Sequence, residues 1–203
     1  MSAQQISTGF LNPVHDSQQW YRAVLEAMSR PGMLCTATGA EHIPSAPSTL
    51  NPTTAALALT LLDHEVNVWV QQPEDELVQW IQFHCGCVIQ PTPTLADFTI
   101  IQDGTSLPDL TQFSIGTTEY PDRSTTLIIQ VESFEKGKTV FLSGSGILSE
   151  VPLQVEGLDD LFWKTQENNT TLFPQGFDTV LAAPEGVVCI PRSISIRRHE
   201  ECM

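Results

Sequence analysis

Positive charge is what this chain has least of: nine lysines and arginines stand against 24 aspartates and glutamates, for a net charge of −15. That balance argues against nucleic acid or an anionic membrane surface as a partner. Only three lysines occur, Lys136, Lys138 and Lys164. A site for an anionic ligand must therefore be built from few cations or borrow them from another chain. No run approaches 18 consecutive apolar residues, so no membrane span is expected. The N-terminus lacks a basic region followed by an apolar stretch, and no secretory signal is expected either. The five cysteines are odd in number and irregularly spaced. Reduced thiols in a cytoplasm are the economical reading. Internal repeats and low-complexity segments are also missing.

What is present fits a single α/β domain over residues 1–203, long enough to bury a core without disulfide or metal staples. The most apolar stretch is Phe173 to Ser193. Its arms, Phe177 to Ala183 and Val187 to Ile190, flank a turn at Pro184-Glu185-Gly186. Both are near-continuous apolar runs, the pattern of strands covered on both faces. They predict a hairpin in the middle of a sheet, with Asp178 and Arg192 at its polar ends.

Residues 1–15 read as a polar arm. A helix is expected from about Ser17 to Arg30, capped by Asp16 with Gln19 three residues on, and stopped by Pro31-Gly32. Asn51-Pro52 opens a second helix to about Leu62. Val66 to Val70 follows as a strand, and a third helix begins at Pro73 and ends near Gly86. Strands are expected at Phe98 to Gln102 and Thr125 to Val131. Glu135-Lys136-Gly137-Lys138 reads as a charged hairpin turn with Thr139 to Leu142 pairing back. A fourth helix, about Leu158 to Asn168, precedes the apolar hairpin, and residues 194–203 form a polar tail. Helices alternating with strands, then two hairpins, predict a mixed sheet flanked by helices on both faces.

His84-Cys85-Gly86-Cys87 carries soft donors suited to zinc. Its thiols, however, are too tightly spaced to share one ion, and a second Cys-x2–4-Cys element is missing. The better reading is a helix C-terminus, with no metal. Ser143-Gly144-Ser145-Gly146 lacks the lysine and spacing of a phosphate-binding loop, and reads as a plain turn. Arg30, Arg123 and Arg192 each adjoin a turn proline. A guanidinium held at a rigid turn suits bidentate recognition of phosphate or carboxylate. These three, with Asp122 and Asp178, are the candidate anion or partner contacts. Ion pairs that merely fix loop geometry are the competing reading. A catalytic residue is not identified.

Several segments together resemble a known family. They are Tyr21 to Gly32 (YRAVLEAMSRPG), Leu61 to Glu65, Gly116-Thr117 with Pro121 to Ser124, the Ser143 to Ile147 turn, Phe173 to Asp178, and Cys189 to Arg192. On these residues the chain is similar to the PhnH family, one of the components of the bacterial carbon–phosphorus lyase system for phosphonate breakdown. It departs from the family's usual Gly-Pro-Gly-Ile at Gly144-Ser145-Gly146-Ile147, from a frequent valine at Phe177, and from an Ala-Leu-Pro-Arg-Thr end at Cys189 to Ser193.

The resemblance implies a homodimeric α/β subunit, similar in fold to the large domain of pyridoxal-phosphate-dependent transferases but without that cofactor. It implies assembly with partner subunits G, I and J. It also implies a supporting role, with subunits G, I and L, in displacing adenine from ATP and attaching the phosphonate to C1 of the ribose. A separate radical subunit then cleaves the carbon–phosphorus bond. A pyridoxal enzyme needs a Schiff-base lysine. Lys136 and Lys138 are expected in a surface turn and Lys164 on an exposed helix face, so no cofactor is expected. The alternative is a stand-alone small-molecule enzyme with its own anion-binding cleft.

Overall fold

The computed structural model describes residues 8–198. In chain order its elements are α1 (Pro13–Ser29), α2 (Pro52–Leu61), β1 (Asn67–Val70), α3 (Asp75–Cys85), β2 (Val88–Ile89), β3 (Phe98–Ile101) and β4 (Thr126–Gln130). They continue with β5 (Ser133–Gly144), β6 (Val151–Glu156), α4 (Asp160–Thr171), β7 (Asp178–Ala183), β8 (Gly186–Ile190) and β9 (Ile194–Arg198). A six-stranded sheet runs in the order β2-β1-β3-β4-β7-β8, parallel except for β8. A three-stranded antiparallel sheet runs β6-β5-β9.

The large sheet is covered on both sides, and its strands divide their residues between two cores. Side chains on a strand alternate between faces. Ile128, Val180, Ala182, Val187 and Cys189 join a core built with α1, α2 and α3. Leu127, Ile129, Leu181, Val188 and Ile190 join a second core with Phe162 and Trp163 of α4 and Val140 and Leu142 of β5. The unbroken apolar runs of β7 and β8 follow directly, since every position faces one core or the other. The second face is closed by α4 and the small sheet together, not by helices alone.

The expected mixed α/β architecture is present, with corrections. The β7–β8 hairpin forms, but β8 lies at the margin of the large sheet. Its outer edge is covered by a bridge between Cys35 and Val187, which exchange hydrogen bonds of 2.9 Å in both directions. Helix α1 starts at Pro13 and not at Ser17. Asn12 is its cap, and Pro13 supplies the pre-set first position. Asp16 lies inside the helix and accepts from the Asn12 N–H at 3.1 Å. Only residues 1–7 of the expected arm fall outside the described residues.

Residues 135–138 are not a turn. Lys136 and Lys138 lie within β5, which carries an irregularity between Ser133 and Lys138 and pairs with β6. The polar tail is partly strand: Ile194 to Arg198 form β9, while 199–203 lie outside the described residues. β6 and β9 were not anticipated; β6 contains Pro152 and β9 ends in Arg197-Arg198. Edge strands tolerate both.

In an open sheet of this kind the crevice at the carboxyl ends of β1 and β3, where strand order reverses, is the usual ligand position. Here the chain's own amides fill it. Gln102 Oε1 accepts from the Gln72 N–H (3.0 Å), while Gln102 Nε2 donates to the Gln72 carbonyl (2.9 Å). Gln71 bonds to both the N–H and the carbonyl of Asp103. Gln130 Nε2 donates to the Thr49 and Gln102 carbonyls, and its Oε1 accepts from the Asn51 N–H at 2.6 Å. Asn51 caps α2 through Thr54 N and donates Nδ2 to the Ala182 carbonyl, both at 2.8 Å.

Asn51 thus joins α2 to β4 and β7. Asn51→Ala is expected to cost about 2–3 kcal/mol, more than the ~1 kcal/mol of an ordinary cap. Asn51→Asp, which keeps the cap acceptor but loses the donor, should recover about half. Urea unfolding of the two variants checks this; equal losses would refute the double role.

Candidate functional site

Four of the segments that carry the family resemblance meet at the amino-terminal rim of the large sheet. β7 begins there with Asp178, and Arg192 follows the end of its antiparallel partner β8. The register of the hairpin pairs Thr179 with Ile190, which sets the two charged residues side by side. Asp178 Oδ1 accepts from the Arg192 backbone N–H at 2.8 Å. Its carboxylate also accepts from Nε at 3.2 Å and Nη2 at 2.5 Å.

The rest of the guanidinium reaches a different segment. Nη1 donates to the Pro121 carbonyl (2.5 Å) and Nη2 to Ser124 Oγ (2.6 Å). One arginine therefore locks the hairpin exit to the turn before β4, in the bidentate geometry its planar fork favours. The pair is mostly enclosed, with side-chain exposures of 14% for Arg192 and 24% for Asp178.

Neighbouring contacts extend the clamp. Gln175 Nε2 donates to the Gly116 carbonyl (3.0 Å), and the Gly176 N–H to the Ile115 carbonyl (2.9 Å). Buried Asn169 of α4 closes a two-way bond with the backbone of Phe177, at 2.9 and 3.0 Å. Gly176 has φ +119, and a Cβ there would stand 2.5 Å from Asn169 Oδ1, so this position requires glycine.

The other candidates are placed differently. Asp122 and Arg123 lie on the turn that the clamp holds, and both are exposed. The Arg123 guanidinium lies 4.2 Å from the centroid of the Tyr120 ring, a surface cation–π contact. Arg30 does not join the clamp: it pairs with Glu26 one turn back (3.0 Å), with its side chain 63% exposed. It belongs to a second meeting of resembling segments, where the Ser143 to Ile147 turn packs on the end of α1 and Gly146 sits against the Ser29 carbonyl.

The His84 to Cys87 cluster ends α3, with Gly86 at φ 71 as the C-cap, as the sequence indicates. Burial pushes the Cys85 thiol up to about 12, and Cys85 Sγ donates to the Ala58 carbonyl. Cys87 is shifted in the same direction by the same cause. Both shifts run opposite to those of thiolate ligands. Ser45 Oγ, 3.4 Å from His84 Nε2, went unnoticed in the sequence. The hydroxyl is already taken by Trp80 Nε1 and the Thr8 carbonyl, so the contact fastens residues 8 and 45 to α3.

Two outcomes follow from this geometry. Arg192→Ala should destabilise the fold by about 3–5 kcal/mol, because it strands the Asp178 carboxylate. Arg192→Lys should recover little, since a point charge cannot serve a carboxylate, a carbonyl and a hydroxyl together. Chemical denaturation measures both, and a loss below about 1 kcal/mol would place the pair with ordinary surface bridges. Separately, burial lowers the His84 pKa from 6.5, so the folded state takes up this proton less readily than the unfolded chain. Its contribution to stability is whole above pH 6.5 and declines as the pH falls below it. His84→Gln should flatten that part of the stability profile.

Comparison with known proteins places this chain in a family. The model of the bacterial phosphonate metabolism protein (PhnH) family matches residues 8–197. The chain is 36% identical over 203 residues to the alpha-D-ribose 1-methylphosphonate 5-triphosphate synthase subunit PhnH of Rhizobium meliloti (strain 1021), covering 98% of this chain and 100% of that one. It is also 33% identical over 97 residues to the putative C-P lyase subunit protein HtxG of Stutzerimonas stutzeri, covering 48% of this chain and 49% of the other. With a family match across nearly all the described residues, the chain belongs to the PhnH family of bacterial phosphonate metabolism proteins.

Proposed function

We propose that this chain works as a non-catalytic or co-catalytic subunit of a cytoplasmic phosphonate-degrading complex. It supports transfer of the phosphonate to C1 of the ribose of ATP with release of adenine. The observation that carries the reading is the full-length match to a relative named as a subunit of the synthase that makes the ribose 1-methylphosphonate 5-triphosphate. Subunits G, I and J are its partners in this reading, and a second copy of the chain forms its homodimer. The single-domain fold is read as kin to the large domain of pyridoxal-dependent transferases, without their cofactor. The lysines support that: Lys136 and Lys138 on β5 and Lys164 on α4 are all exposed.

Arg30, Arg123, Arg192, Asp122 and Asp178 are assigned as anion or partner contacts in two ranks. Arg192 and Asp178 act from within, holding the Pro121 to Ser124 turn in place. Exposed Arg123 and Arg30 meet the substrate phosphate or a partner carboxylate directly, and exposed Asp122 meets a partner cation.

Co-expression with the neighbouring subunits tests the reading. The tagged chain should recover them in fixed stoichiometry, and the complex should release adenine from ATP with methylphosphonate. Arg123→Ala and Arg30→Ala should keep the fold and reduce partner recovery or turnover about tenfold, the loss of one charge-assisted contact each. Adenine release by the purified chain alone would favour a stand-alone enzyme and overturn the subunit reading.

A further inference from the structure

Five of the nine cations stand on three packed elements: Lys136 and Lys138 on β5, Lys164 on α4, and Arg197 and Arg198 on β9. The same elements carry three carboxylates, Glu135, Asp160 and Glu167. In a chain of net charge −15 this gathers most of the positive charge on one side, beside an adjoining hollow lined by Glu156 and Asp159. An open groove of about 800 Å³ lies among these cations, between α4 and the β5–β9 pair. That size suits a small-molecule ligand.

The strand register sets which cations face it. Val140 pairs with Arg198, so both side chains share a face, and Lys138 shares that face two residues away on β5. Val140 is buried with Trp163 in the second core, which gives the groove an apolar floor. Lys138 and Arg198 rise on either side of it. Arg197 points to the opposite face, 4.5 Å from the centroid of the Phe141 ring and bonded to Glu150.

Lys138 owes its position to the irregularity in β5. Residues 134–137 have no partner on β6, and Gly137 adopts φ +97. A Cβ at Gly137 would overlap the Val155 carbonyl, so only glycine allows the strand to bend here. Such bulges re-aim side chains, often beside functional sites. A second groove of about 420 Å³ adjoins the first and shares Gly137, Lys138, Asp160 and Trp163 with it. The Lys138 ammonium therefore stands between two hollows.

Both groove cations hold carboxylates of α4: Lys138 to Asp160 at 2.5 Å and Arg198 to Glu167 at 2.8 Å. These partners are weakly committed. All four side chains are one-third exposed or more, and exposed pairs contribute little. Lys138, followed by Arg198 and Lys164, holds the Asp160 carboxyl below its ordinary pKa, so three cations crowd one acid. A ligand with two or more negative charges competes well against such single carboxylates.

We propose that the groove between α4 and the β5–β9 pair is a binding site for a small phosphate- or phosphonate-bearing anion, contacted by Lys138 and Arg198. The site rests on its own geometry and charge, separately from the subunit reading. A chain that assembles with partners yet binds no anion would remove this site and leave that reading intact.

The test is calorimetric titration of the full chain at low salt with inorganic pyrophosphate, methylphosphonate and, as a comparison, acetate. Pyrophosphate or methylphosphonate should bind and acetate should not; whichever of the two binds more tightly identifies a polyphosphate or a phosphonate head as the preferred group. Lys138→Gln and Arg198→Gln should each weaken binding about tenfold, the loss of one charge-assisted contact. Asp160→Asn frees Lys138 and should tighten binding several-fold, a gain that a purely structural ion pair does not produce. Arg22→Gln, on α1, should change nothing. The site is overturned if neither phosphorus anion binds at millimolar concentration, if binding survives both cation substitutions, or if Asp160→Asn weakens it.

Discussion

Asp178 and Arg192 meet across the open end of the β7–β8 hairpin, and much of one rim is anchored to that contact. The carboxylate satisfies the arginine's backbone N–H as well as its guanidinium, so it fixes where the chain leaves β8 and not only where a side chain lies. The remaining donors of the fork fasten the turn that leads into β4. In water such a pair would be nearly neutral in free energy. In this enclosed position removing either member strands a charge, and the penalty for that is what makes the geometry stiff.

That stiffness accounts for the division of labour among the polar residues. The carboxyl rim of the parallel strands, where open α/β sheets usually bind their ligands, is occupied by Gln71, Gln102, Gln130 and Asn51 bonding to backbone and to one another. The amino-terminal rim carries the ion-paired clamp and the exposed Asp122 and Arg123. The chain has thus filled the customary crevice with its own amides and put its charged groups elsewhere, on the loops of the amino-terminal rim and around the α4 groove.

Much of the architecture was legible in the sequence because its signals were local. Asn51-Pro52 marked the start of α2, Gly86 the end of α3, and the apolar runs of β7 and β8 their double coverage. The two missed strands lacked such signals. β6 contains a proline and β9 ends in two arginines, features that edge strands accept only because a partner supplies the remaining hydrogen bonds. The start of α1 was misplaced because Asp16 and Gln19 imitate a capping box, whereas Asn12 with Pro13 does the capping. Of the candidate residues, sequence could name Arg192 and Asp178 and set them at the ends of one hairpin, but not the hold of Arg192 on Pro121 and Ser124. Nor could it find the glutamine-filled crevice, which exists only once β1, β3 and β4 lie side by side.

The bridge between Cys35 and Val187 has a further consequence. It seals the β8 margin of the large sheet, and Gly186 is kept free of a side chain where a Cβ would stand 2.5 Å from the Cys35 carbonyl. The opposite margin, among the described residues, is β2, only two residues long. A sheet with one margin closed and the other this short gives an incoming strand almost no template for backbone pairing. Association through the large sheet by strand addition is therefore disfavoured, and the longer open edges among the described residues are those of β6 and β9 in the small sheet.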